Sequence, residues 1–529
     1  MKNNLMRNHF LLFITFVLAF TGCKKSTIEE PTPGPTKNDT VVTNPPTPTT
    51  PAHLKGLKIN GADCAFDSTF VTFYYPVAVG TTLSNITINF DTTAAKNFYF
   101  NGTKVSNGGT ISANLQTDQK ISVKAADKDN NGPTYDLVIT GLPIVMLTAG
   151  STIGDNEISG GFKLVNPDYI AQKSQLQLNS AISIAIRGAT SRAYPKKNYK
   201  VKTTDDAGTS LDKAFLGLRE DNSWILDAMY VDQGRMRNRV CTDLWNTFNN
   251  VPHFASEPEA LNGTRGYMTE VFLNGRYAGV YCLTEKLDRK QLKLKKQYGN
   301  SYKANLWTNE TSFYGNSDFD NTKKEWGGWE LEYPDLGDTP APNWGYLHTI
   351  VEFIANSTDD EFSAHIGEKV DLPNIVDYFI FMNAMVMHDN ENKNTFFSFY
   401  DLRNANKFFY SVWDMDGALG RNAGGGKTAN QVIGASNNKL FQRLLQLDPK
   451  GFKDMVKARW NVLKANKLSP SAIDERVENY RKKLVETKAI DREKKVWTNL
   501  GQDLNTEAEY MKSWYGSQFT LINDYFNSL

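Results

Sequence analysis

The stretch from residue 24 to residue 52 most constrains how this chain can fold, because it contains little that could be buried. Proline and threonine dominate it, as in the strings PTPGPT and NPPTPTTP. A segment of this composition cannot offset the entropy cost of ordering and is typical of an extended, partly polyproline linker. The folded part of this 529-residue chain is therefore expected to begin near residue 53, and its length predicts more than one domain.

The first 22 residues are typical of an export signal. A basic start that contains Lys2 and Arg7 leads into an apolar run at 10–20, which is too short to span a bilayer as a stable helix. Small residues follow this run and precede Cys23. The sequence therefore predicts a signal peptide at 1–22.

A small residue before a cysteine at this place is the cleavage pattern of bacterial lipoproteins, in which the cysteine carries lipid. The charged residues after Cys23 resemble the surface-export signals of Bacteroidetes-type lipoproteins. We expect Cys23 to be the lipidation site and 23–52 to be a linker. The expected location is the cell envelope, lipid-anchored in the membrane, at the outer membrane or the cell surface. The alternative is a plain secretory signal with a cysteine nearby.

The charge and cysteine content narrow the classes of partner and cofactor. The formal net charge is +1, which argues against a dedicated nucleic-acid binder, so no nucleic-acid partner is expected. Cys64, Cys241 and Cys282 have no short spacing between them and are expected to be buried free thiols. With six histidines in the chain, a His/Cys metal site is not expected.

Residues 53–145 alternate short β-patterned runs with turn signals. The turns carry Asn-Gly steps at 101–102, 107–109 and 130–132. The runs are rich in Val, Ile, Thr, Tyr and Phe and lie at 69–77, 85–90, 97–102, 120–125 and 134–142. This spacing predicts a small all-β sandwich of the immunoglobulin-like type, with no catalytic constellation. Its expected role is that of a spacer or binding module.

Residues 146–529 mix strand and helix patterns, with strands mostly first, which predicts an α+β domain. Asn274-Gly275 is a strong two-residue hairpin turn between apolar-rich strands. Asp371 is expected to cap a helix that runs to about Met387, with Pro373 in its first turn. Further elements are expected as strands at 182–188 and 198–203, a hairpin at 395–413, and helices at 234–248 and over the last hundred residues.

One constellation in this domain points to chemistry. Asp389 and Asn394 lie five residues apart in a loop after the predicted helix, and the predicted hairpin then leads to Asp414 and Asp416 in the string WDMDG. Protein kinases use the same order, in which a catalytic loop with an Asp and an Asn is followed by two strands and a metal-binding Asp. Such a loop acid can orient an acceptor hydroxyl, and the second acid can hold Mg²⁺ together with the Asn.

The segment at 182–203 could cover a nucleotide in such an enzyme. Lys200 and Lys202 lie on one face of its second strand, because side chains two apart in a strand point the same way, and either could pair with phosphates. An acid of the next helix, such as Asp243, could orient that lysine. Solvated strand charges are the alternative reading of both lysines. Residues 284–286 would form the hinge between two lobes.

Longer motifs follow one another in a characteristic order. They are RGATSR at 187–192, PKKNYK at 195–200, LGL at 216–218, RN at 237–238, EVFLNG at 270–275, GVY at 279–281, TEK at 284–286, Asp389 with Asn394, and WDMD at 413–416. The most specific part is the string NGRYAGVYCLTEK at 274–286, followed by the paired acids. This order resembles the spore-coat protein H (CotH) family of kinase-like proteins, and the resemblance extends over 146–529.

This resemblance implies an atypical protein-kinase-like domain at 146–529 that uses Mg²⁺ and ATP and phosphorylates Ser or Thr of a protein substrate. It implies that Asp389 is the catalytic-loop acid and that Asn394 is a metal ligand. Asp414 is implied as the second metal ligand, and Asp416, which directly precedes a glycine, competes with it for that role. The residues expected to contact the nucleotide are Arg187, Lys200, Lys202 and Glu285.

The chain also departs from ordinary kinases, and a second function stays open. No G-x-G-x-x-G loop is present, so the nucleotide would be cradled differently. The alternative function is a non-catalytic surface scaffold or a glycan- or protein-binding lipoprotein. The aromatic stretch at 323–335 could then stack sugars, although core packing is the more common role.

Lys196 and Lys197 are expected to be surface charges or contacts to an acidic substrate. The two functions differ in whether the predicted lysines, loop acid and metal ligands meet at one cavity.

Overall fold

The structure is a computed structural model that describes residues 53–338, 341–403, 407–498, 500 and 503–529. The predicted signal peptide, Cys23 and the Pro/Thr-rich linker lie outside the described residues. Within the described ranges, no helix combines the length and the apolar character needed to cross a membrane.

Two antiparallel-rich sheets form the region that precedes the mixed domain. Their strands are β1 (His53–Ile59), β2 (Ala62–Asp63), β3 (Ala65–Asp67), β4 (Thr72–Pro76), β5 (Leu83–Thr93), β6 (Asn97–Phe100), β7 (Thr103–Lys104), β8 (Gly109–Leu115), β9 (Lys120–Ala126) and β10 (Thr134–Thr140). One sheet has the order β2-β1-β5-β8 and the other the order β3-β4-β10-β9-β6-β7, with β4 and β10 parallel. Alternate side chains of both sheets, such as Leu57, Ile88, Val123 and Leu137, are buried in one apolar core.

The strands predicted between 69 and 142 are present, so the prediction of a sheet-rich region is confirmed. The immunoglobulin-like type stays a prediction. The boundary predicted at 145/146 falls within the next strand, Ile144–Ala149. Cys64, Cys241 and Cys282 are free and buried, as expected from their spacing.

A closed barrel of seven strands follows. Its elements are β11 (Ile144–Ala149), β12 (Ile158–Val165), β13 (Gln177–Ile186), β14 (Tyr199–Thr204), β15 (Ser223–Asp227), helix α1 (Arg237–Asn246), β16 (Gly266–Leu273) and β17 (Arg276–Glu285). The strand order is β11-β12-β13-β14-β15-β17-β16, and the parallel pair of β11 and β16 closes it. Inward-facing aromatic rings fill the interior of the barrel. The ring centroid of Phe215 lies 4.9 Å from that of Phe162 and 5.0 Å from that of Trp224.

The turn between β16 and β17 has the chemistry that the sequence predicted. Asn274 and Gly275 both have positive φ, 48° and 69°, which suits a type I′ hairpin turn. This tip contacts the preceding sheets, since the Ser68 amide donates to the Gly275 carbonyl at 2.8 Å. Tyr74 packs there against Phe272 with ring centroids 5.1 Å apart.

The remaining chain combines one sheet with a group of helices. Its strands are β18 (Asn300–Ala304), β19 (Glu325–Trp326), β20 (Trp329–Tyr333), β21 (Thr395–Phe399) and β22 (Phe409–Val412), in the order β19-β20-β18-β21-β22. Its helices are α2 (Gly345–Asn356), α3 (Asp359–Lys369), α4 (Leu372–Met385), α5 (Lys439–Leu447), α6 (Phe452–Lys464), α7 (Pro470–Glu486), α8 (Ala489–Val496) and α9 (Leu504–Ser528). The predicted α+β fold class is confirmed.

Helix α4 lies at the centre of this part of the molecule. The Asp371 side chain accepts a hydrogen bond from the Asn374 amide, and Pro373 occupies the first turn, as the sequence predicted. From Asn374 to Met385 every residue is buried, so this helix is enclosed on all sides rather than exposing a polar face to solvent. It ends at Val386, whose left-handed backbone turns the chain into the loop with Asp389.

Candidate functional site

A cavity of about 740 Å³ lies where the barrel meets the five-stranded sheet β19-β20-β18-β21-β22. Most of its lining comes from the 187–198 loop, the barrel strands β15 and β17 with α1, the 303–332 region, and the 389–417 region. Five of the residues predicted to bind metal or nucleotide or to act in catalysis line it: Arg187, Asp389, Asn394, Asp414 and Asp416.

The loop with Asp389 is held in place by buried polar contacts. It begins with a short 3₁₀ turn, Asp389–Glu391. The Asn390 side chain donates to the carbonyls of Asn394 and Trp413, at 2.8 and 2.7 Å, and so ties the loop to the next motif. The Tyr378 hydroxyl of α4 donates to the Asn390 carbonyl at 2.6 Å. These bonds fix where the Asp389 carboxylate can lie.

Asp414 and Asn394 have left-handed backbone, with φ values of 56° and 52°. Asp and Asn adopt this region more readily than other non-glycine residues, so the chain can turn at both positions. Here the Met415 amide donates to Asn238 of α1 at 3.2 Å, and the Asn238 side chain donates to Asp227 at 3.2 Å. The barrel and α1 thus hold the acidic motif from one side.

The acidic side chains of the cavity repel one another. Burial raises the pKa of the Asp414 carboxyl, and the charge of Asp227 raises it further. Burial also raises the pKa of Asp416 well above its usual range, with Asp414 as the next cause. No described residue donates a hydrogen bond to either carboxylate. A bound cation would relieve this repulsion.

The donor set fits Mg²⁺ that is held together with phosphates. Asp414, Asp416 and Asn394 offer carboxylate and amide oxygens, the ligands that this ion prefers. In the part of the chain that the structure describes, no three His, Cys, Asp or Glu side chains are grouped closely enough to bind a metal ion alone. Mg²⁺ commonly binds through one or two carboxylates, with substrate phosphates and water completing its shell.

Two cations flank the acidic motif. The Arg187 guanidinium lies 5.5 Å and the Lys303 ammonium 5.6 Å from the centre of the Trp413 ring. Within the described ranges neither forms an ion pair with a carboxylate. Burial lowers the pKa of Lys303, and Glu332 acts against this effect. The cavity therefore holds two positive charges available to an anion.

Lys303 was not identified from the sequence. It lies in β18, and its neighbour on β21 is Phe396, nearly a hundred residues further along the chain. The Phe396 ring packs on Trp413 at 6.0 Å, which explains how Lys303 comes to lie beside the acidic motif. No spacing within the sequence relates Lys303 to that motif, because a non-local strand pairing brings them together.

The structure does not bring Lys200 and Lys202 to the cavity. Val201 between them faces the barrel interior, so its neighbours on β14 face outward. Both lysines pair with Glu157, at 3.0 and 2.8 Å, with side chains 42% and 47% exposed. This placement agrees with the alternative interpretation, in which both lysines are solvated charges on a strand.

Glu285 and Asp243 also lie away from the lining of the cavity. The Glu285 carboxylate is buried and accepts from Arg265 at 2.6 Å and from the Arg219 amide at 2.9 Å. It thereby fixes the end of β17, whose Thr284 does line the cavity. Asp243 binds Arg239 and the Tyr480 hydroxyl instead of a cavity lysine.

Lys196 is buried, so the prediction that it is a surface charge is wrong. Its ammonium donates to Glu493 of α8 at 2.8 Å and to the Val280 carbonyl at 2.5 Å. Arg235 binds the same carboxylate at 3.0 Å. Burial lowers the pKa of Lys196 to about 8, and the Glu493 charge acts against that change. Lys196 is one of the residues that line the cavity.

The aromatic stretch at 323–335 packs mainly into the core. Trp326 and Trp329 are 6% and 1% exposed, and Trp326 lies 6.0 Å from Trp344 in an edge-on arrangement. Core packing, the more common role, describes both rings, although both also contribute to the cavity wall.

We predict that Glu493→Ala destabilises the protein strongly, by about 3–5 kcal/mol, because it leaves Lys196 and Arg235 buried without a carboxylate. The matched control is Glu157→Ala, which also removes a carboxylate shared by two cations but at the surface, and should cost less than about 1 kcal/mol. Urea unfolding of the full chain measures both. Equal losses in the two variants would contradict the burial argument.

Comparison with known proteins agrees with this geometry. A family model described as CotH kinase protein matches residues 184–518, well over half of the chain. A search of curated proteins found no match. The matched range contains the five clustered residues and Lys303. The chain belongs to the CotH kinase protein family.

Proposed function

We propose that this chain is an exported, lipid-anchored phosphotransferase that transfers the γ-phosphoryl group of ATP to Ser or Thr of a protein, with Mg²⁺ as cofactor. The observation that carries the proposal is one cavity that combines Asp389, Asn394, Asp414 and Asp416 with the cations Arg187 and Lys303. Membership of a kinase family supports the same reaction class.

The acids of the WDMDG motif and Asn394 would hold Mg²⁺, which supplies charge neutralisation at the phosphates when it is bound. Arg187 and Lys303, which lie near the Trp413 ring, would bind phosphate oxygens. Phosphoryl transfer needs positioning and charge stabilisation more than covalent chemistry. A rigid set of opposite charges around one cavity suits that requirement.

Asp389 would orient the acceptor hydroxyl and receive its proton. Its side chain is 28% exposed, so it can be reached from solvent, and it pairs with Lys393 at 3.4 Å. The loop bonds of Asn390 hold it next to the Asp414 motif. A base must lie within hydrogen-bond reach of the proton it takes, and a partly exposed acid at the cavity wall can be approached by a hydroxyl of a protein substrate.

The nucleoside would lie toward the barrel. Ile225, Cys282 and Thr284 of β15 and β17 line that end of the cavity with apolar and small polar side chains, beside the charged Asp227 and Arg239. An apolar wall with a few polar groups is the usual lining of a small-molecule site.

We predict that the full chain binds ATP only with Mg²⁺ and that Asp414→Asn weakens this binding at least about tenfold, because the metal ligand at this position loses its negative charge. Lys303→Met is expected to weaken it about tenfold, because a phosphate cation is lost. Isothermal titration with ATP, with and without Mg²⁺, measures both effects.

Lys200→Ala is the matched control for Lys303→Met, since it removes a lysine of the outer barrel face and should leave ATP affinity unchanged. An equal loss of ATP affinity in both lysine variants would show that Lys303 does not bind the nucleotide. If the folded wild-type chain binds no ATP at any Mg²⁺ concentration, the non-catalytic scaffold becomes the better proposal.

Asp389→Asn is expected to separate binding from chemistry. We predict that it lowers phosphate transfer by at least about a hundredfold, the usual contribution of a positioned base, with little change in ATP affinity. Transfer is measured from γ-labelled ATP into an envelope protein extract, with phosphoserine and phosphothreonine located by mass spectrometry. Asp318→Asn, at an exposed site away from the cavity, is the control. Full transfer by Asp389→Asn would show that another group acts as the base.

The proposed anchor rests on the sequence around Cys23. We predict that the chain made in a bacterial host incorporates labelled palmitate and fractionates with membranes, and that Cys23→Ser loses both properties. Cys64→Ser, which changes a buried cysteine of the folded part, should keep the label. A wild-type chain that is unlabelled and released from membranes would support the plain secretory signal instead.

A further inference from the structure

Glu507, on the last helix, lies in an unusual position for a residue outside the site. Its side chain is fully buried, and it accepts hydrogen bonds from two arginines. Arg237 donates to it at 2.6 Å, and Arg421 donates through two nitrogens, at 2.6 and 2.5 Å. The two arginines lie in different parts of the chain, one at the start of α1 and one after the acidic motif.

Arg237 connects this carboxylate to the acidic motif. Its guanidinium also donates to the carbonyls of Ala418 and Leu419, at 3.1 and 3.4 Å, which follow directly after Asp416-Gly417. The next residue of α1, Asn238, holds the Met415 amide. The start of α1 therefore contacts the backbone on both sides of Asp416.

Further contacts from α9 continue along the same stretch, residues 414–428, which we call the acidic-motif segment. Arg421 donates to the Gly425 carbonyl at 2.6 Å. The Tyr510 hydroxyl donates to the Gly420 carbonyl at 2.7 Å, and the Trp514 indole to the Thr428 carbonyl at 2.9 Å. Helix α9 thus contacts the segment at Gly420, Arg421 and Thr428, and the Arg421 bond to Gly425 lies within the segment itself.

The charges in this cluster balance only when Glu507 is ionised. Arg237 and Arg421 face Glu507 and Asp232, and all four side chains are nearly or fully buried. Without Glu507, the buried guanidinium groups of Arg237 and Arg421 would share only the carboxylate of Asp232. One buried positive charge would then be uncompensated, and the local structure would be expected to change. The backbone of the segment is also strained at Leu419, whose φ of 47° is rare for a leucine.

We propose that Glu507 is a positioning residue, which acts through Arg237 and Arg421 to hold Asp414 and Asp416 in their metal-binding arrangement. The catalytic consequence rests on the proposed function, whereas the effect on the acidic-motif segment does not. In this scheme the C-terminal helix fixes the segment through the two arginines.

The test compares Glu507→Gln with Glu270→Gln in the full chain. Glu270 is an equally buried carboxylate that binds one arginine, Arg492, at 2.7 and 2.8 Å, but it contacts no part of the acidic-motif segment. The first readout is hydrogen exchange of the amides at 414–428. The second is the Mg²⁺ concentration that gives half-maximal ATP binding.

In Glu507→Gln we expect amide exchange in the segment to accelerate at least about tenfold. We also expect the required Mg²⁺ concentration to rise by about ten- to a hundredfold, as for other residues that orient metal ligands. Glu270→Gln should lower the melting temperature while leaving both readouts at the wild-type values. Arg421→Gln, which removes two of the bonds to Glu507, should change both readouts in the same way as Glu507→Gln. If Glu507→Gln does not fold, Arg421→Gln is the variant used for the test.

Unchanged exchange in the segment in the folded Glu507→Gln or Arg421→Gln variant would overturn the proposal, and so would equal acceleration in Glu270→Gln. A wild-type chain that binds no ATP would instead refute the proposed function, and the exchange measurement would still decide the role of Glu507. The two failures are therefore distinguishable.

Discussion

Three buried carboxylates fasten the C-terminal helices to the barrel and the cavity, and the arrangement of the site depends on them. Glu493 of α8 binds Lys196 and Arg235, Arg492 of α8 binds Glu270 of β16, and Glu507 of α9 binds two arginines. A buried charge cannot remain unpaired without a large free-energy cost, so each pair requires its partner element to stay in place. Helices α8 and α9 thereby hold the barrel and the acidic motif in position.

The acids of the WDMDG motif and the two cations beside Trp413 show the opposite arrangement, because these four charges form no ion pair with one another or with another described residue. Asp414 and Asp416 receive no hydrogen bond from a described residue, and Arg187 and Lys303 lie over the Trp413 ring rather than against a carboxylate. Charges left in this state suit a ligand that brings both a cation and an anion. A nucleotide triphosphate with Mg²⁺ has that composition, and membership of the CotH kinase protein family supports the same reading.

Much of the fold and half of the site could be predicted because the signals are local. Asp371 and Pro373 define the start of α4, and Asn274-Gly275 defines a hairpin, through bonds made within a few residues. The loop acid, Asn394 and the WDMDG acids converge because a single hairpin connects them. Composition alone separated the linker from the folded part.

The sequence by itself determined the element types, the order of the acidic residues and the family. Only the tertiary structure decided which cations serve the cavity. Lys200 and Lys202 face outward because Val201 faces into the barrel, whereas Lys303 reaches the site through a pairing of β18 with β21. The burial of Lys196 and the link from Glu507 to the acidic motif likewise depend on contacts across more than eighty residues. Such contacts leave no period or spacing in a single sequence, because they arise only when distant elements pack together.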